Sequence, residues 1–276
     1  MNGQHAVCGT LLPLGEHAAE TVHGRFAVRL FLNLSTRTVV LALCRGDLHG
    51  PQPLLARVHS SCMTSETFGG CDCDCVGQLD AALETIARHG RGVVFYLMQE
   101  GRGAGFVAKA RDRMIVQASR DRVTTFDAYA SMGLGHDYRR YDEVAFARAA
   151  LGIEAPLALL TNNPDKVEAL RRAQIPIAAV QPLERAPSPF NRHYLASKSR
   201  SGHALTDPGP TATAELPEKV AYFDPHPLAE RPRFVRVASY LLPIRARHAA
   251  SAVHWFRLHA YFDLTTSRER VLFTYR

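Results

Sequence analysis

Apolar and polar residues alternate along the first part of the chain with the period of β-strands. Residues 26–34, 38–44 and 54–59 are rich in β-branched and apolar side chains, and turn-forming residues separate them. From about residue 76 the apolar positions follow the period of a helix, and Gly90 is placed to end it. The pattern predicts three strands followed by a helix over residues 76–89.

Short apolar runs alternate with amphipathic segments in the middle of the chain. The runs at 92–98 and 156–160 predict buried strands, whereas residues 106–119, 143–151 and 164–173 have the spacing of helices. Strands that alternate with helices are typical of α/β proteins. We therefore expect a mixed α/β fold with a β-rich N-terminal part.

The composition changes after about residue 182, where prolines become frequent. Residues 206–233 have the composition of a Pro-rich linker, and residues 234–276 are β-rich and aromatic. We therefore expect three parts, namely a main domain over residues 1–205, the linker, and a β-rich C-terminal extension over residues 234–276.

The composition of the 276 residues is that of a folded, soluble protein. Apolar residues make up 46% and charged residues 21%, which excludes a disordered chain, a collagen-like repeat and a coiled coil. No apolar run reaches the roughly 18 residues of a transmembrane helix, and the N-terminus lacks the pattern of a signal peptide. We expect a cytoplasmic protein with no membrane partner.

The charge balance points to small anionic ligands. The formal net charge is +7, which favours partners such as nucleotides and phosphates. The sequence has no basic stripe with interleaved aromatic residues, so we do not expect nucleic-acid binding.

Four of the six cysteines, Cys62, Cys71, Cys73 and Cys75, lie close together in the sequence. In a cytosolic protein such a cluster is typical of a metal site rather than of disulfides. Cys62, Cys73 and Cys75 offer three thiolates to a Zn²⁺ and leave a fourth position for water, whose pKa the metal lowers towards about 7. A closed structural site that uses Cys71 or His59 as the fourth ligand fits the same spacing.

A glycine-rich turn at residues 99–105 follows the predicted strand at 92–98. Its glycines allow a ligand to approach the backbone closely. Arg102 can pair with a phosphate, and Glu100 can accept hydrogen bonds from a base. The segment also fits an ordinary strand-to-helix turn.

Two further segments carry groups suited to a phosphorylated ligand. Residues 159–166 end a predicted strand and open a helix, where free N–H groups attract an anion close to Thr161 and Lys166. Asp137 and Arg139 could serve as an acid–base group and a phosphate clamp. A helix cap and a solvated loop are the simpler interpretations of these two segments.

Together these segments resemble the GTP cyclohydrolase II family, the zinc enzymes that open the guanine ring at the start of riboflavin synthesis. The resemblance covers roughly residues 25–205, and several separate motifs occur in the family's order. These motifs are Arg57-Val58-His59-Ser60 before Cys62, the Cys73-x-Cys75 pair, Gln78, Gln-Glu-Gly-Arg-Gly at 99–103, Asp137-x-Arg139, Thr-Asn-Asn-Pro at 161–164, and His193-Tyr194-Leu195 with Lys198 and Gly202-His203. The resemblance implies a GTP cyclohydrolase II-like core, a homodimer and one Zn²⁺ per chain, with Mg²⁺ as a second ion if the substrate is a triphosphate.

The resemblance also implies which residues hold the metal and the nucleotide. Cys62, Cys73 and Cys75 match the family's zinc ligands, and Cys71 falls at a non-ligand position. The positions that match nucleotide contacts are Arg57, Val58, His59, Ser60, Ser61, Gln78, Glu100, Gly101, Arg102, Thr125, Thr161 and Lys166.

The same resemblance implies two catalytic residues. Asp137 matches the family's proposed acid–base group, and Arg139 matches a residue proposed as a nucleophile on the α-phosphate. A guanidinium has a pKa above about 12, which makes Arg139 a poor nucleophile and a good phosphate clamp.

The chain departs from the family pattern on the side that would face the base. Ser61 stands in place of a glutamate, Met98 in place of an arginine, Arg113 in place of an active-site tyrosine and Tyr129 in place of an asparagine. Arg113 and Tyr129 therefore remain candidate substrate contacts. A lost hydrogen-bond partner changes specificity strongly. The metal and phosphate groups are kept, which is the pattern expected for the same chemistry on a different base.

We expect a nucleotide cyclohydrolase that opens a base by zinc-dependent hydrolysis. With GTP as the substrate, the reaction would release formate and pyrophosphate. The alternative is ring opening of a uracil nucleotide such as UMP, as in the family's relatives linked to uracil catabolism. A third interpretation is a non-catalytic nucleotide-binding protein with structural zinc, against which the Asp137–Arg139 pair and the spacing of the three cysteines argue.

Overall fold

The computed structural model of the chain describes residues 11–183, 185–205, 213–245 and 252–275. Within these residues the chain forms two β-sheets with helices between and around them. The strands are β1 (Leu11–Thr21), β2 (Gly24–Asn33), β3 (Val39–Arg45), β4 (Leu54–Ser60), β5 (Gly92–Leu97), β6 (Leu157–Leu160), β7 (Ile177–Gln181), β8 (His226–Pro227), β9 (Phe234–Arg245), β10 (Val253–Asp263) and β11 (Arg268–Tyr275). The helices are α1 (Met63–Glu66), α2 (Cys75–His89), α3 (Gly105–Ala118), α4 (Thr125–Ser131), α5 (Asp142–Ala150), α6 (Pro164–Arg172) and α7 (Arg192–Arg200), and a 3-10 turn spans Gly101–Gly103.

The larger sheet has seven strands in the order β1-β2-β3-β5-β4-β6-β7. The pairs from β1 to β5 are antiparallel, and those from β5 through β4 and β6 to β7 are parallel. β3 alternates buried and partly exposed residues, whereas β4 and β6 are buried along almost their whole length. This difference is expected because antiparallel strands can leave one face in solvent, while parallel strands are covered on both faces.

The carboxyl ends of β4, β5 and β6 lie at one edge of this sheet, because the three strands are parallel neighbours. The segments that follow them begin at Ser61, Met98 and Thr161 and therefore meet at this edge. Ligands of α/β sheets bind outside the carboxyl ends of the strands. The predicted cysteine, glycine-rich and Thr-Asn-Asn-Pro segments are brought together there.

Local sequence signals define the end of α2, at the opposite edge of the sheet, and the start of α6, at the edge where β6 ends. α2 ends at Gly90, whose φ of +80° allows its N–H to bond back into the last turn. α6 begins after Asn163, whose side chain accepts a hydrogen bond from the N–H of Asp165, and Pro164 occupies the first helical position.

The smaller sheet lies at the C-terminal end of the chain and has the strand order β11-β10-β9-β8, all antiparallel. It packs against α3, where Phe106 and Met114 join Tyr240 and Leu258 in one apolar cluster. Val220, which precedes the sheet, is buried in the same cluster. Residues 206–212 of the predicted linker lie outside the described residues.

The prediction of a mixed α/β fold with a strand-rich beginning and a C-terminal β-sheet is confirmed. The sequence pattern missed β1 and β7, which lie at the two edges of the larger sheet and expose most of their residues. It also missed the short helices α1, α4 and α7, although α4 begins with a capping box formed by Thr124 and Asp127. Within the described parts of the chain, no helix has both the length and the apolar character needed to cross a bilayer.

Candidate active site

Three cysteine sulfurs converge at the edge where β4, β5 and β6 end. Cys62 precedes α1, Cys73 lies in the following loop, and Cys75 is the first residue of α2. Their sulfur atoms lie within 4.8 Å of one another, and 3.7 Å separates those of Cys62 and Cys73. Three closely spaced sulfur donors suit a Zn²⁺ with one open position. Among the described residues, Cys71 is outside this group, and its thiol donates to the carbonyl of Gly69.

A buried lysine that sequence reasoning missed contacts this cluster. Lys109 Nζ lies 2.9 Å from the Cys62 sulfur and 2.9 Å from Glu100 Oε1. Hydrogen bonds from Cys73 and Cys75 lower the pKa of Cys62 well below its ordinary value, and Lys109 adds to this shift. One feature of the sequence could have indicated its role. Lys109 and Arg113 are charged residues one turn apart in the helix, and both are buried in α3.

The Glu100 carboxylate is largely occupied by groups of the protein itself. Besides Lys109, it accepts hydrogen bonds from the N–H of Gly101 at 3.0 Å and from the N–H of Met63 at 2.6 Å. The latter contact caps the start of α1 beside Cys62. Glu100 thus connects the glycine-rich turn, to which it belongs, with the residues around the cysteine cluster.

A cavity of about 190 Å³ adjoins the cysteine cluster, since Cys75 is in its wall. It brings together many residues singled out in the sequence, namely Arg57, His59, Ser60, Gln78, Arg102, Asp137, Arg139, Thr161 and Lys166. Tyr194, Lys198 and His203 also line it, although they were not among the candidate site residues. The cavity is therefore rich in cationic side chains.

Three residues of the cavity wall each carry a buried polar atom without a hydrogen-bond partner in the described structure. These atoms are Arg57 Nε, His59 Nδ1 and Ser60 Oγ. Buried polar atoms are nearly always paired in native proteins. A ligand or an ordered water molecule in the cavity would supply the missing partners.

Arg57 is held by a chain of hydrogen bonds. Its guanidinium donates to the carbonyl of Leu160 at 2.9 Å and to Gln78 Oε1 at 2.6 Å. Gln78 in turn donates to Asp74, which also pairs with Lys198 at 2.6 Å. Burial lowers the pKa of Arg57 to about 10. The guanidinium is still charged at neutral pH and is oriented by these contacts.

Lys166 also lines the cavity and is buried in the first turn of α6. Its ammonium donates to the carbonyl of Val58 at 2.7 Å. Burial, followed by repulsion from Arg57 and Arg139, holds the pKa of Lys166 well below its ordinary value. A phosphate in the cavity would relieve this repulsion because it supplies negative charge.

Asp137 and Arg139 form a bidentate ion pair. Arg139 Nε lies 2.9 Å and 3.0 Å from the two Asp137 oxygens, and the Arg139 backbone N–H also donates to this carboxylate. Partial burial opposes ionisation, but the pairing outweighs it and holds the pKa of Asp137 below its usual range. Asp137 is therefore an ionised carboxylate at neutral pH. The same pairing raises the pKa of Arg139 despite burial, so its guanidinium stays protonated.

The Asp137 loop lies directly against the glycine-rich turn. Gly103 has a φ of +82°, and a Cβ on it would lie 2.7 Å from the carbonyl carbon of Tyr138 and 2.9 Å from the Arg139 nitrogen. The position therefore requires glycine. Arg102 stacks its guanidinium over Phe126, 4.0 Å from the ring centre.

The sequence from residue 14 to residue 182 matches the family model described as GTP cyclohydrolase II. This match covers more than half of the chain. The chain belongs to the GTP cyclohydrolase II family. Members of the GTP cyclohydrolase II family are hydrolases that act on a nucleotide ring, and this chain is therefore such a hydrolase.

Its curated relatives agree with the family match. The chain is 40% identical over 189 residues to GTP cyclohydrolase-2 of Pseudomonas putida (strain GB-1), a match that covers 68% of this chain and 87% of the relative. It is 39% identical over 186 residues to GTP cyclohydrolase-2 of Teredinibacter turnerae (strain ATCC 39867 / T7901), covering 67% of this chain and 92% of the relative. A solved structure of a two-domain 3,4-dihydroxy-2-butanone 4-phosphate synthase from A. baumannii overlaps 64% of this chain and 41% of its own, with 18% identity and a TM-score of 0.37.

Several candidate contacts of this GTP cyclohydrolase II family member lie outside the cationic cavity. The Arg113 guanidinium pairs with Asp72 at 3.1 Å, and Thr125 donates to the buried Asp112 at 2.5 Å. The Tyr129 hydroxyl is buried and donates to the carbonyl of Gly101 at 2.9 Å. In the structure these side chains support the helices and the glycine-rich turn rather than the cavity wall.

The remaining candidates lie at the boundary of the site. Val58 is buried, and its carbonyl accepts the Lys166 hydrogen bond. Ser61, Met98 and Glu100 line a second cavity of about 730 Å³, to which the C-terminal strand β11 also contributes. The positions where the chain departs from the family on the base side are thus distributed between this cavity and buried contacts.

Proposed function

We propose that the protein opens the guanine ring of GTP by hydrolysis and releases formate and pyrophosphate. The observation that carries the proposal is the position of the three cysteine sulfurs beside a cavity lined by Arg57, Lys166 and other cations. A metal-binding group and a phosphate-binding group side by side suit hydrolysis of a nucleotide base. The family and the named relatives support GTP as the substrate.

In this proposal Cys62, Cys73 and Cys75 hold one Zn²⁺. When bound, the ion supplies an activated water and polarises the atom under attack. The soft thiolate donors suit Zn²⁺, and the nearby Lys109 ammonium offsets part of their negative charge. A Mg²⁺ would accompany the triphosphate rather than the cysteines, because Mg²⁺ prefers oxygen ligands.

The triphosphate would occupy the cationic part of the cavity. Arg57 and Lys166 line the same cavity and are fixed by hydrogen bonds to backbone carbonyls, so they are arranged before a ligand arrives. Buried cations without a counterion bind an anion favourably because it relieves their mutual repulsion. Arg102 adds a third cation from the glycine-rich turn.

Asp137 would act as the acid–base group and Arg139 as a clamp on phosphate. The pKa of Asp137 lies below its usual range, so its carboxylate is ionised in the resting protein and has a free site for a proton. Arg139 is protonated and hydrogen-bonded to Asp137, so its nitrogen lone pairs are not available for attack on phosphorus. Its guanidinium instead orients the carboxylate and offers positive charge.

A uracil nucleotide such as UMP is the second candidate substrate. The observation that favours it is the Glu100 carboxylate, whose oxygens already accept hydrogen bonds from Gly101, Met63 and Lys109. A carboxylate has about four acceptor sites, so little capacity is left for the two donors on a guanine edge. Ser61 stands where the family has a glutamate, so this position offers no second carboxylate to a guanine base.

The deciding experiment is incubation of the zinc-loaded protein with GTP and, separately, with UMP, followed by mass spectrometry. Loss of a formyl carbon from GTP with release of formate supports the first candidate. Addition of one water to UMP supports the second. Turnover of neither, with retained nucleotide binding, would contradict both and leave a binding protein.

A matched variant tests the metal. Cys73→Ser should lose zinc and activity together, whereas Cys71→Ser should keep both, because its sulfur lies outside the cluster. Activity in metal-free Cys73→Ser protein would contradict zinc-dependent hydrolysis.

A further inference from the structure

The C-terminal sheet contacts the loop that carries a proposed metal ligand. We propose that strand β9 positions this loop, so that metal affinity depends on a part of the chain outside the family match. This inference rests on the metal site of the proposed function. It concerns residues 241–245, whereas the family match ends at residue 182.

The contact is a short antiparallel pairing of backbones. The N–H of Cys71 donates to the carbonyl of Pro243 at 2.8 Å, and the N–H of Arg245 donates to the carbonyl of Gly69 at 3.0 Å. Gly70 and Ile244 face each other in the resulting bridge. The loop thus behaves as an additional edge of the C-terminal sheet, two residues before Cys73.

Close packing at Gly70 strengthens the pairing. A Cβ on Gly70 would lie 2.8 Å from the Thr64 carbonyl oxygen and 2.9 Å from Leu242 Cδ1. Gly70 also donates its N–H to the Thr64 carbonyl at 2.8 Å. The loop is therefore confined between α1 on one side and β9 on the other.

Strand β9 is itself anchored to the main domain next to this contact. The Gln117 side chain donates to the carbonyl of Leu241 at 2.7 Å and accepts from the Leu241 N–H at 2.8 Å. The neighbouring Tyr240 and Leu242 are fully buried against α3. Because α3 also carries Lys109, which contacts Cys62, one helix connects the strand, the loop and the cluster.

The three cysteines are therefore positioned by different parts of the fold. Cys62 is placed by the end of β4 and by Lys109, and Cys75 by the start of α2. Cys73 lies between them in a loop without regular structure, so its sulfur position depends on what confines that loop. Groups that orient metal ligands contribute about 10–100-fold to metal affinity.

Arg245→Pro tests the pairing directly because it removes the N–H that bonds to Gly69. Arg245→Ala is the matched control, since it removes the same side chain and keeps the N–H. Zn²⁺ affinity is measured by competition with a chromophoric chelator, and ligand geometry by the absorption bands of the Co²⁺-substituted protein. We expect Arg245→Pro to weaken Zn²⁺ binding about tenfold or more and to shift the Co²⁺ bands, and Arg245→Ala to match the wild-type protein.

A second pair of variants covers the case in which Arg245→Pro does not fold. Gln117→Leu releases β9 next to the loop, whereas Arg111→Leu removes a hydrogen bond to the Val237 carbonyl farther along β9. We expect both to lower the thermal midpoint, and only Gln117→Leu to weaken Zn²⁺ binding and shift the Co²⁺ bands.

Equal Zn²⁺ affinity and equal spectra in Gln117→Leu, Arg111→Leu and the wild type would overturn the inference while leaving the metal site intact. Equal losses in Gln117→Leu and Arg111→Leu would also overturn it, because the effect would then be general destabilisation. A wild-type chain that binds no Zn²⁺ would overturn the metal site and the inference together.

Discussion

Lys109 Nζ lies 2.9 Å from the sulfur of Cys62 and donates a hydrogen bond to it from inside the protein. The same ammonium pairs with Glu100, whose other oxygen caps the helix that starts after Cys62. A single buried cation therefore joins the cysteine cluster, the glycine-rich turn and helix α3. The cysteine cluster is distant in the sequence from the glycine-rich turn and α3, which follow one another directly, and the three depend on one another in the fold.

Lys109→Met is expected to destabilise the protein by about 3 kcal/mol, because it leaves the partly buried Glu100 carboxylate without its buried cation. Urea unfolding of the metal-free protein measures the change. Lys109→Arg keeps a cation on the same helix face and should recover part of the loss. A methionine variant as stable as the wild type would show that the pair contributes nothing net.

Gly103→Ala is expected to displace the loop that holds Asp137 and Arg139, because the new Cβ would collide with the backbone at Tyr138. The strain of a left-handed residue adds about 1–3 kcal/mol. Gly105→Ala is the matched control, since Gly105 also has a positive φ, of +89°, but its Cβ would meet nothing within 4 Å. Turnover of the substrate should fall in Gly103→Ala well beyond the effect in Gly105→Ala. Equal rates in the two variants would show that the close contact between Gly103 and the backbone of Tyr138 does not matter for turnover.

Asp137→Asn is expected to lower kcat by at least about 100-fold, the scale of general acid–base catalysis, while zinc content stays unchanged. The measurement is steady-state turnover together with metal analysis. Asp142→Asn is a suitable comparison, because Asp142 forms a similar ion pair with Arg140 in the same region but lies outside the cationic cavity. An Asp137→Asn enzyme as fast as the Asp142→Asn enzyme would remove Asp137 from the mechanism.

The stability of the protein is expected to depend on pH through His203. Burial, and then the nearby Lys198 and Arg139, lower the pKa of His203 from 6.5 to about 4. Between these two values the unfolded chain binds more protons than the folded one, so stability falls as the pH drops from about 6.5 to about 4. Urea unfolding at several pH values should show a smaller loss over this interval in His203→Gln than in the wild type. If the stability of His203→Gln and of the wild type changed equally with pH, His203 would not be the group responsible.

The buried pair of Arg113 and Asp72 is expected to be strongly coupled. Arg113→Met alone should cost about 3–5 kcal/mol, because it leaves a buried carboxylate without a partner. Adding Asp72→Leu to this variant should restore part of the stability, since an apolar pair carries no charge to desolvate. A double-mutant cycle by urea unfolding measures the coupling energy. Additive losses would show that the two side chains do not interact energetically.

Much of the α/β core was predictable because its signals are local. The helix that ends at Gly90, the strand at 92–97 and the Asn163–Pro164 cap each follow from residues next to one another in the chain. The edge strands β1 and β7 were not predictable in the same way, because most of their residues are exposed and show no alternation. Their position depends on the neighbouring strands with which they pair.

The residues of the candidate site likewise fall into those identified from local motifs and those whose roles depend on distant contacts. Arg57, Asp137, Thr161 and Lys166 were identified from motifs, and the structure brings them to one cavity. Lys109 was missed because its role depends on a sulfur 47 residues away. Arg113 was singled out from a family position, and its actual partner, Asp72, becomes visible only when α3 packs beside the cysteine loop.

The spacing of the cysteines, the order of the motifs and the excess of positive charge can be read from the chain alone, because these are properties of neighbouring residues and of composition. The packing of the fold sets which three sulfurs meet, which charges face a cavity and which are paired inside the protein. It also decides that the C-terminal sheet meets the cysteine loop at Gly70 and Ile244. The physical reason is that burial and hydrogen bonding between distant segments depend on how the helices and sheets pack, and a linear pattern does not contain that packing.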